Sequence, residues 1–262
     1  MSAIITSIYN CPVKSISFQN IEKCKINKNI GIEGDRVFAF SQNLDLDQSK
    51  EFEKNPEARK GKWNKIVTLK NTPVFNKYNF SNEDNKLTLT LKDKEIISIN
   101  INNFDERDDL AKKLIELESS LKNDIRLMRN DEHPFYDTSI SNKSMFNNSI
   151  SLININSIRD FENKIDRKIE MSTFRGNLYF DGMEAWEERN WIGKTLKINN
   201  VLFKVEKNIP RCVAINLKPK TDDNSFNLLK ILKQTYDHYE MGVYLTPEND
   251  GEINLSEKIL IK

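Results

Sequence analysis

The chain has 262 residues, with 40 Lys and Arg against 39 Asp and Glu, for a formal net charge of +1. So even a balance supplies no long-range attraction to nucleic acid or to an anionic membrane surface. Three cysteines and two histidines, widely scattered, exclude a disulfide framework, a four-cysteine iron–sulfur site and a Cys/His zinc cluster. Although 30% of the residues are charged, apolar residues recur with clear periods, the mark of a globular chain. The length suits one large domain or two small ones packed together. MSAIITSIYNCPVK lacks the apolar core of a signal peptide, and no apolar run approaches the ~18 residues of a membrane-spanning helix. A soluble, reduced, cytoplasmic protein is the expectation.

The chain begins as β structure. AIITSIYN reads as a strand stopped at Pro12, and IEKCKI alternates as a second. RVFAFS is a third, after the bend GIEGD, where Gly31 and Gly34 tolerate positive φ. Residues 42–64 are charged and aperiodic and read as an exposed loop with at most a short helical turn. KIVTL, VFNKYNF, KLTLTL and EIISINI follow as short strands with polar turns, a spacing of antiparallel sheets rather than of βαβ units. In DERDDLAKKLIELESSL, Leu110, Leu114, Leu117 and Leu121 make one apolar stripe behind an acidic first turn, which predicts an amphipathic helix. The second half returns to strands in SISLINI, NLYFDG, KTLKI, VLFKVEK, CVAINL, MGVYLT and KILIK, with helices at NSIRDFENK and NSFNLLKILKQTY. The expected fold class is mainly β with a few helices, in two barrel-like parts.

Four stretches place reactive side chains at turns. In CPVKS a proline stops the strand and Lys14 and Ser15 follow, an ammonium and a hydroxyl that can grip a phosphate. In GIEGDR, Arg36 heads an apolar strand, either paired with Asp35 or facing a ligand. In TFRGNLYF, strand alternation puts Arg175 and Asn177 on one face, with Gly176 allowing close backbone approach. In NIPRCVAINLKP, the same alternation puts Cys212, Ala214 and Asn216 together, away from Val213, Ile215 and Leu217. It points Arg211 to the opposite face unless Pro210 twists the strand entry. A thiolate there suits a transition metal or sulfur transfer, and a buried structural cysteine is the competing reading. HPFYD offers a His133–Asp137 pair, more simply a turn before proline. GxGxxG, P-loop and GxSxG motifs are absent.

Five segments in register, YNCPVKSI with GIEGDRVFAF, NSISLININSIRDFE, TFRGNLYFDGMEAWEERNWIGKTLKI, RCVAINLKPKT and MGVYL, resemble the MOSC-domain family. That family is named for the C-terminal domain of molybdenum cofactor sulfurases and includes amidoxime-reducing enzymes. The resemblance implies a β-barrel MOSC core over 126–262 and an N-terminal β-barrel-like region over 1–125. It implies a molybdenum–pterin cofactor, with Cys212 as the catalytic metal ligand and Lys14, Ser15, Arg36, Arg175, Asn177 and Arg211 holding the pterin and its phosphate. The implied activity is reduction of N-hydroxylated or N-oxygenated small molecules. Electrons would come from a separate ferredoxin- or flavoprotein-like partner, since no ferredoxin module with its cysteines is present. The alternative is a sulfur carrier, with a persulfide on Cys212 delivered by a PLP-dependent desulfurase. Two positions depart from the reductase pattern: Gly176 stands where Pro is usual, and Asp222 where Gly is usual.

Overall fold

The computed structural model describes residues 2–16, 18–121, 125–136 and 148–262. In chain order the first half holds β1 (Ala3–Asn10), β2 (Gln19–Ile21), β3 (Lys23–Asn27), β4 (Gly31–Ile32), β5 (Phe38–Gln42), α1 (Leu46–Lys54), β6 (Tyr78–Glu83), β7 (Lys86–Leu91), β8 (Lys94–Asn100), α2 (Phe104–Leu117) and β9 (Ile125–Arg129). The second half holds β10 (Ile150–Asn154), α3 (Ile155–Ile165), β11 (Leu178–Asp181), β12 (Thr195–Ile198), β13 (Val201–Pro210), α4 (Leu228–Tyr236), β14 (Glu240–Pro247), β15 (Gly251–Asn254) and β16 (Lys258–Ile261). The fold is mainly β with few helices, as its alternating strands predict.

Seven strands close a barrel in the order β11-β10-β14-β13-β12-β16-β1, with β1 returning to β11. All its neighbours are antiparallel except β10 and β11. Closure removes the open sheet edges that would otherwise invite pairing. Alternate residues of each strand fill the interior, among them Ile5, Leu178, Phe180, Phe203 and Leu245, with Trp191 stacked on Phe180. β10 is buried on both faces: Ile150 and Leu152 point into the barrel, while Ile153 packs outward with the side chains of α3 and α4. Its apolar residues on both faces, Ile150 and Leu152 on one and Ile153 on the other, follow from that position.

The rest of the first half surrounds a second core. β5 pairs with β9, β6-β7-β8 form a meander, and α2 lies over them through Leu110 and Leu114. β15 pairs with β3, so the last part of the chain is also hydrogen-bonded to the first. Each helix begins where an Asp or Asn side chain (Asp45, Asn103, Asn154 or Asn227) accepts a backbone amide of its first turn.

Four expectations change, the first being VFNKYNF, which is a strand only from Tyr78 because its earlier residues form a 3₁₀ turn over Pro73–Lys77. Residues 42–64 hold the nine-residue α1, because Phe52 in its last turn buries in a cluster with Ala39, Met128 and Phe135. KIVTL contributes only an isolated bridge from Ile66 to Ser41, because its neighbours are taken up by short 3₁₀ turns. Leu117 is exposed: α2 ends there, beyond the reach of the core that covers Leu110 and Leu114.

Because β1 completes the barrel, its interior residues should matter as much as those of the second half. Ile5→Ala should destabilise the protein by about 2–5 kcal/mol. The exposed Leu260→Ala should cost no more than about 0.5 kcal/mol. Urea denaturation of both variants checks this.

Candidate functional site

A single cavity of about 260 Å³ is lined by Lys14, Ser15, Arg36, Arg175, Asn177, Arg211 and Cys212, together with Tyr136, Ser151, Lys207 and Tyr244. All seven residues singled out in the sequence therefore meet, although they span 199 positions from Lys14 to Cys212 (numbered 14 and 212). The described lining carries five cations, Lys14, Arg36, Arg175, Lys207 and Arg211, and no carboxylate.

Local backbone geometry brings these side chains in. β1 ends at Asn10, and residues 11–14 run beside 36–38: the Lys14 amide donates to the Phe38 carbonyl (2.8 Å) and the Phe38 amide to Pro12 (3.0 Å). Asp35, almost wholly buried, accepts the Cys11 amide (2.7 Å) and the Asn177 side-chain amide (3.4 Å), and pairs with the Arg36 guanidinium. Burial pushes the Asp35 carboxyl above its ordinary range, opposed by Arg36 and these donors. Arg36 thus pairs with Asp35 and also lines the cavity. Ser15, Arg36 and Arg175 all lie in the left-handed region, at φ of 66°, 56° and 51°. Such a backbone costs about 1–2 kcal/mol per non-glycine residue.

Arg175 and Asn177 do not share a strand face. Arg175 closes a 3₁₀ turn over Met171–Phe174, its amide donating to Ser172 (3.0 Å), and β11 begins only at Leu178. The Arg175 guanidinium lies over the Phe18 ring (4.8 Å) and makes no hydrogen bond or ion pair among the described residues. Burial lowers its pKa. Asn177 is a brace: its Oδ1 accepts the Ser151 hydroxyl (2.8 Å), and its own amide donates back to that hydroxyl (2.8 Å).

The departure at Gly176 has a steric cause. Its amide donates to the Tyr179 hydroxyl (2.9 Å), which donates in turn to the Met171 carbonyl (2.9 Å). A Cβ there would lie 2.6 Å from Ile153 Cδ1, and proline would also lose the donor. Asp222 lies near Lys77 (3.7 Å), in a turn held by Asn76, whose Nδ2 donates to Lys218 and Thr221.

CVAINL is not a strand. β13 carries two irregularities, between Val205 and Lys207 and between Asn208 and Pro210, and ends at Pro210, which has no amide to extend the ladder. Cys212 then precedes a 3₁₀ turn over Val213–Asn216, closed by the Ile215 amide on the Cys212 carbonyl (3.2 Å). Its thiol is exposed at the cavity, whereas Cys11 and Cys24 are buried. Arg211 turns inward to donate to the Phe174 carbonyl (2.7 Å) and, through Nε, to Met241 (3.0 Å). It therefore braces the Arg175 turn against β14, with burial lowering its pKa. Lys207, Tyr244, Ser151 and Tyr136 escape a reading by motif. Lys207 and Tyr244 are register partners on β13 and β14, and the usable signal is a lysine four residues before Arg211. His133 and Asp137 form no described pair, since Asp137 lies outside the described residues.

Residues 136–259 match the family model of the MOSC domain. This stretch, a little under half of the chain, is a MOSC domain. A 72-residue stretch is 36% identical to mitochondrial amidoxime reducing component 2 of Rattus norvegicus, covering 28% of this chain and 21% of that protein. The match therefore spans about a fifth of that relative's length. Among solved structures, the YUAD protein of Bacillus subtilis aligns over 100% of this chain and 96% of its own, at 11% identity and a TM-score of 0.44. YiiM of Geobacillus stearothermophilus aligns over 43% of this chain and 53% of its own, at 18% identity and a TM-score of 0.35.

Burial raises the thiol pKa of Cys11, and that of Cys24 to about 12. A thiol-specific reagent at about pH 8 should therefore modify one cysteine per native chain, Cys212, and none in Cys212→Ser. Both buried thiols should react only after unfolding, as mass spectrometry of the labelled peptides can check.

Proposed function

We propose that this cavity holds a molybdenum–pterin cofactor and that the protein reduces N-hydroxylated small molecules. The observation that carries the reading is a cavity lined by five cations and no carboxylate, with the exposed Cys212 thiol in its wall. A phosphate-bearing, sulfur-rich anion matches that donor set: guanidinium and ammonium for phosphate, a soft thiolate for the metal. The relation to a named amidoxime reducing component supports the redox assignment.

Each residue has a separate part. Arg175, whose guanidinium lies over the Phe18 ring and makes no hydrogen bond or ion pair among the described residues, is assigned to the anionic group, beside Lys14, Ser15 and Arg36. Arg211 and Asn177 fix the surrounding loops by donating to backbone carbonyls and holding Ser151. Cys212 supplies the thiolate ligand. When bound, the cofactor supplies a two-electron couple. The overall reaction breaks an N–O bond, consumes two electrons and two protons, and releases water, with the electrons delivered by a separate ferredoxin- or flavoprotein-like donor. Among the described residues, no helix is long and apolar enough to cross a membrane.

A second reading makes Cys212 a sulfur carrier loaded by a PLP-dependent desulfurase. It is favoured by the exposure of Cys212 and of the neighbouring Val213, which lets a partner protein reach the thiol.

Protein made in a cofactor-competent host should contain about one molybdenum per chain, and Arg175→Ala should lose most of it while keeping its thermal unfolding. Molybdenum-free protein with Cys212 intact and reduced would overturn the cofactor reading. A persulfide on Cys212 in metal-free protein would instead establish the carrier.

A further inference from the structure

We propose that the cavity behind the Cys212 turn is a second ligand site, one that takes a small amphipathic carboxylate of the medium-chain fatty acid class. The proposal does not depend on the cofactor reading. The cavity encloses about 330 Å³ between the segment after α3, the stretch from Ile215 to Pro219, and the start of α4. Its floor is apolar: Ile215, Leu217 and Leu228 are almost wholly buried, and Phe226 forms a wall.

The rim selects the sign of the ligand. Arg167 and Lys218 have no side-chain hydrogen bond or ion pair among the described residues, and the Arg167 guanidinium lies over the Phe226 ring at 3.7 Å. Lys168 is already paired with Glu162. Two carboxylates also line the cavity: Asp223, which accepts the Ser225 amide (2.9 Å) and lies in the field of both Lys218 and Arg167, and Glu170, which accepts the Ser172 hydroxyl (2.5 Å); the three lining cations still outnumber them. An alkyl chain on the floor would leave water while its carboxylate stayed at the rim beside Arg167 and Lys218, neither of which is held by a side-chain hydrogen bond or ion pair among the described residues. This division of labour suits an amphiphile better than a wholly polar or wholly apolar molecule.

The site touches the machinery already described. Ile215 is a wall of both cavities. Asn216, the last residue of the Cys212 turn, accepts the Leu229 amide of α4 through Oδ1 (2.9 Å). A ligand here therefore packs directly against the turn that presents the thiol.

Calorimetric titration of the full chain with sodium octanoate tests the proposal. Saturable one-to-one binding is expected, weakening about fourfold for each methylene removed in heptanoate and hexanoate. 1-Octanol should bind more weakly than octanoate. The double variant Arg167→Ala/Lys218→Ala, changed only at exposed positions, should unfold at the same temperature and lose about tenfold in octanoate affinity. Absence of saturable binding, equal affinity for 1-octanol, or undiminished binding by the double variant would each overturn it.

Discussion

Asp35 has almost no contact with solvent, and its oxygens are shared among the Cys11 amide, the Asn177 side chain and the Arg36 guanidinium. Those partners lie just past β1, just before β11 and in the turn leading to β5. One buried carboxylate thus ties together three of the segments that wall the cavity. Removing a charge of this kind from water is costly unless every acceptor is used, and here its donors come from each segment that must be held. The barrel supplies the frame: β1 lies beside β11 only because the first strand of the chain closes a sheet whose other six strands belong to the second half.

With that knot in place, the cavity gathers five cations, of which Arg36 pairs with Asp35. Arg211 is surrounded by carbonyl dipoles and Arg175 by an aromatic face, and Asp35 pairs only with Arg36. Burial of guanidinium groups without carboxylate partners opposes folding, as do three left-handed backbones on the same walls. The stabilising work is done elsewhere, in the barrel interior and in the core beneath α2.

Much of the fold was legible in order along the chain. The stripe of Leu110 and Leu114, the alternation of KLTLTL and EIISINI, and the two short helices of the second half correspond to elements of the structure, because each is decided by neighbours within a few residues. α1 was harder to see, since a single buried aromatic, Phe52, is enough to anchor it in an otherwise charged segment. The site residues were legible as residue types at turns, but not as geometry. Strand alternation misplaced Arg175 and Cys212, both of which lie in or beside 3₁₀ turns. Lys207 and Tyr244 were missed because they are partners across two strands rather than parts of one motif.

By itself, then, the sequence determined the β-rich class, the periodic faces that become core, and a small set of cations, an asparagine and a cysteine fit for an anionic ligand. These follow from local physics: side-chain period, helix capping, and the chemistry of each group. Only the tertiary structure decided that Lys14 and Cys212 line one cavity, that Cys212 is exposed while Cys11 and Cys24 are not, and that Arg211 faces inward. Those outcomes depend on how β1 closes the barrel and on where Pro210 ends β13, which are contacts between segments far apart in the chain.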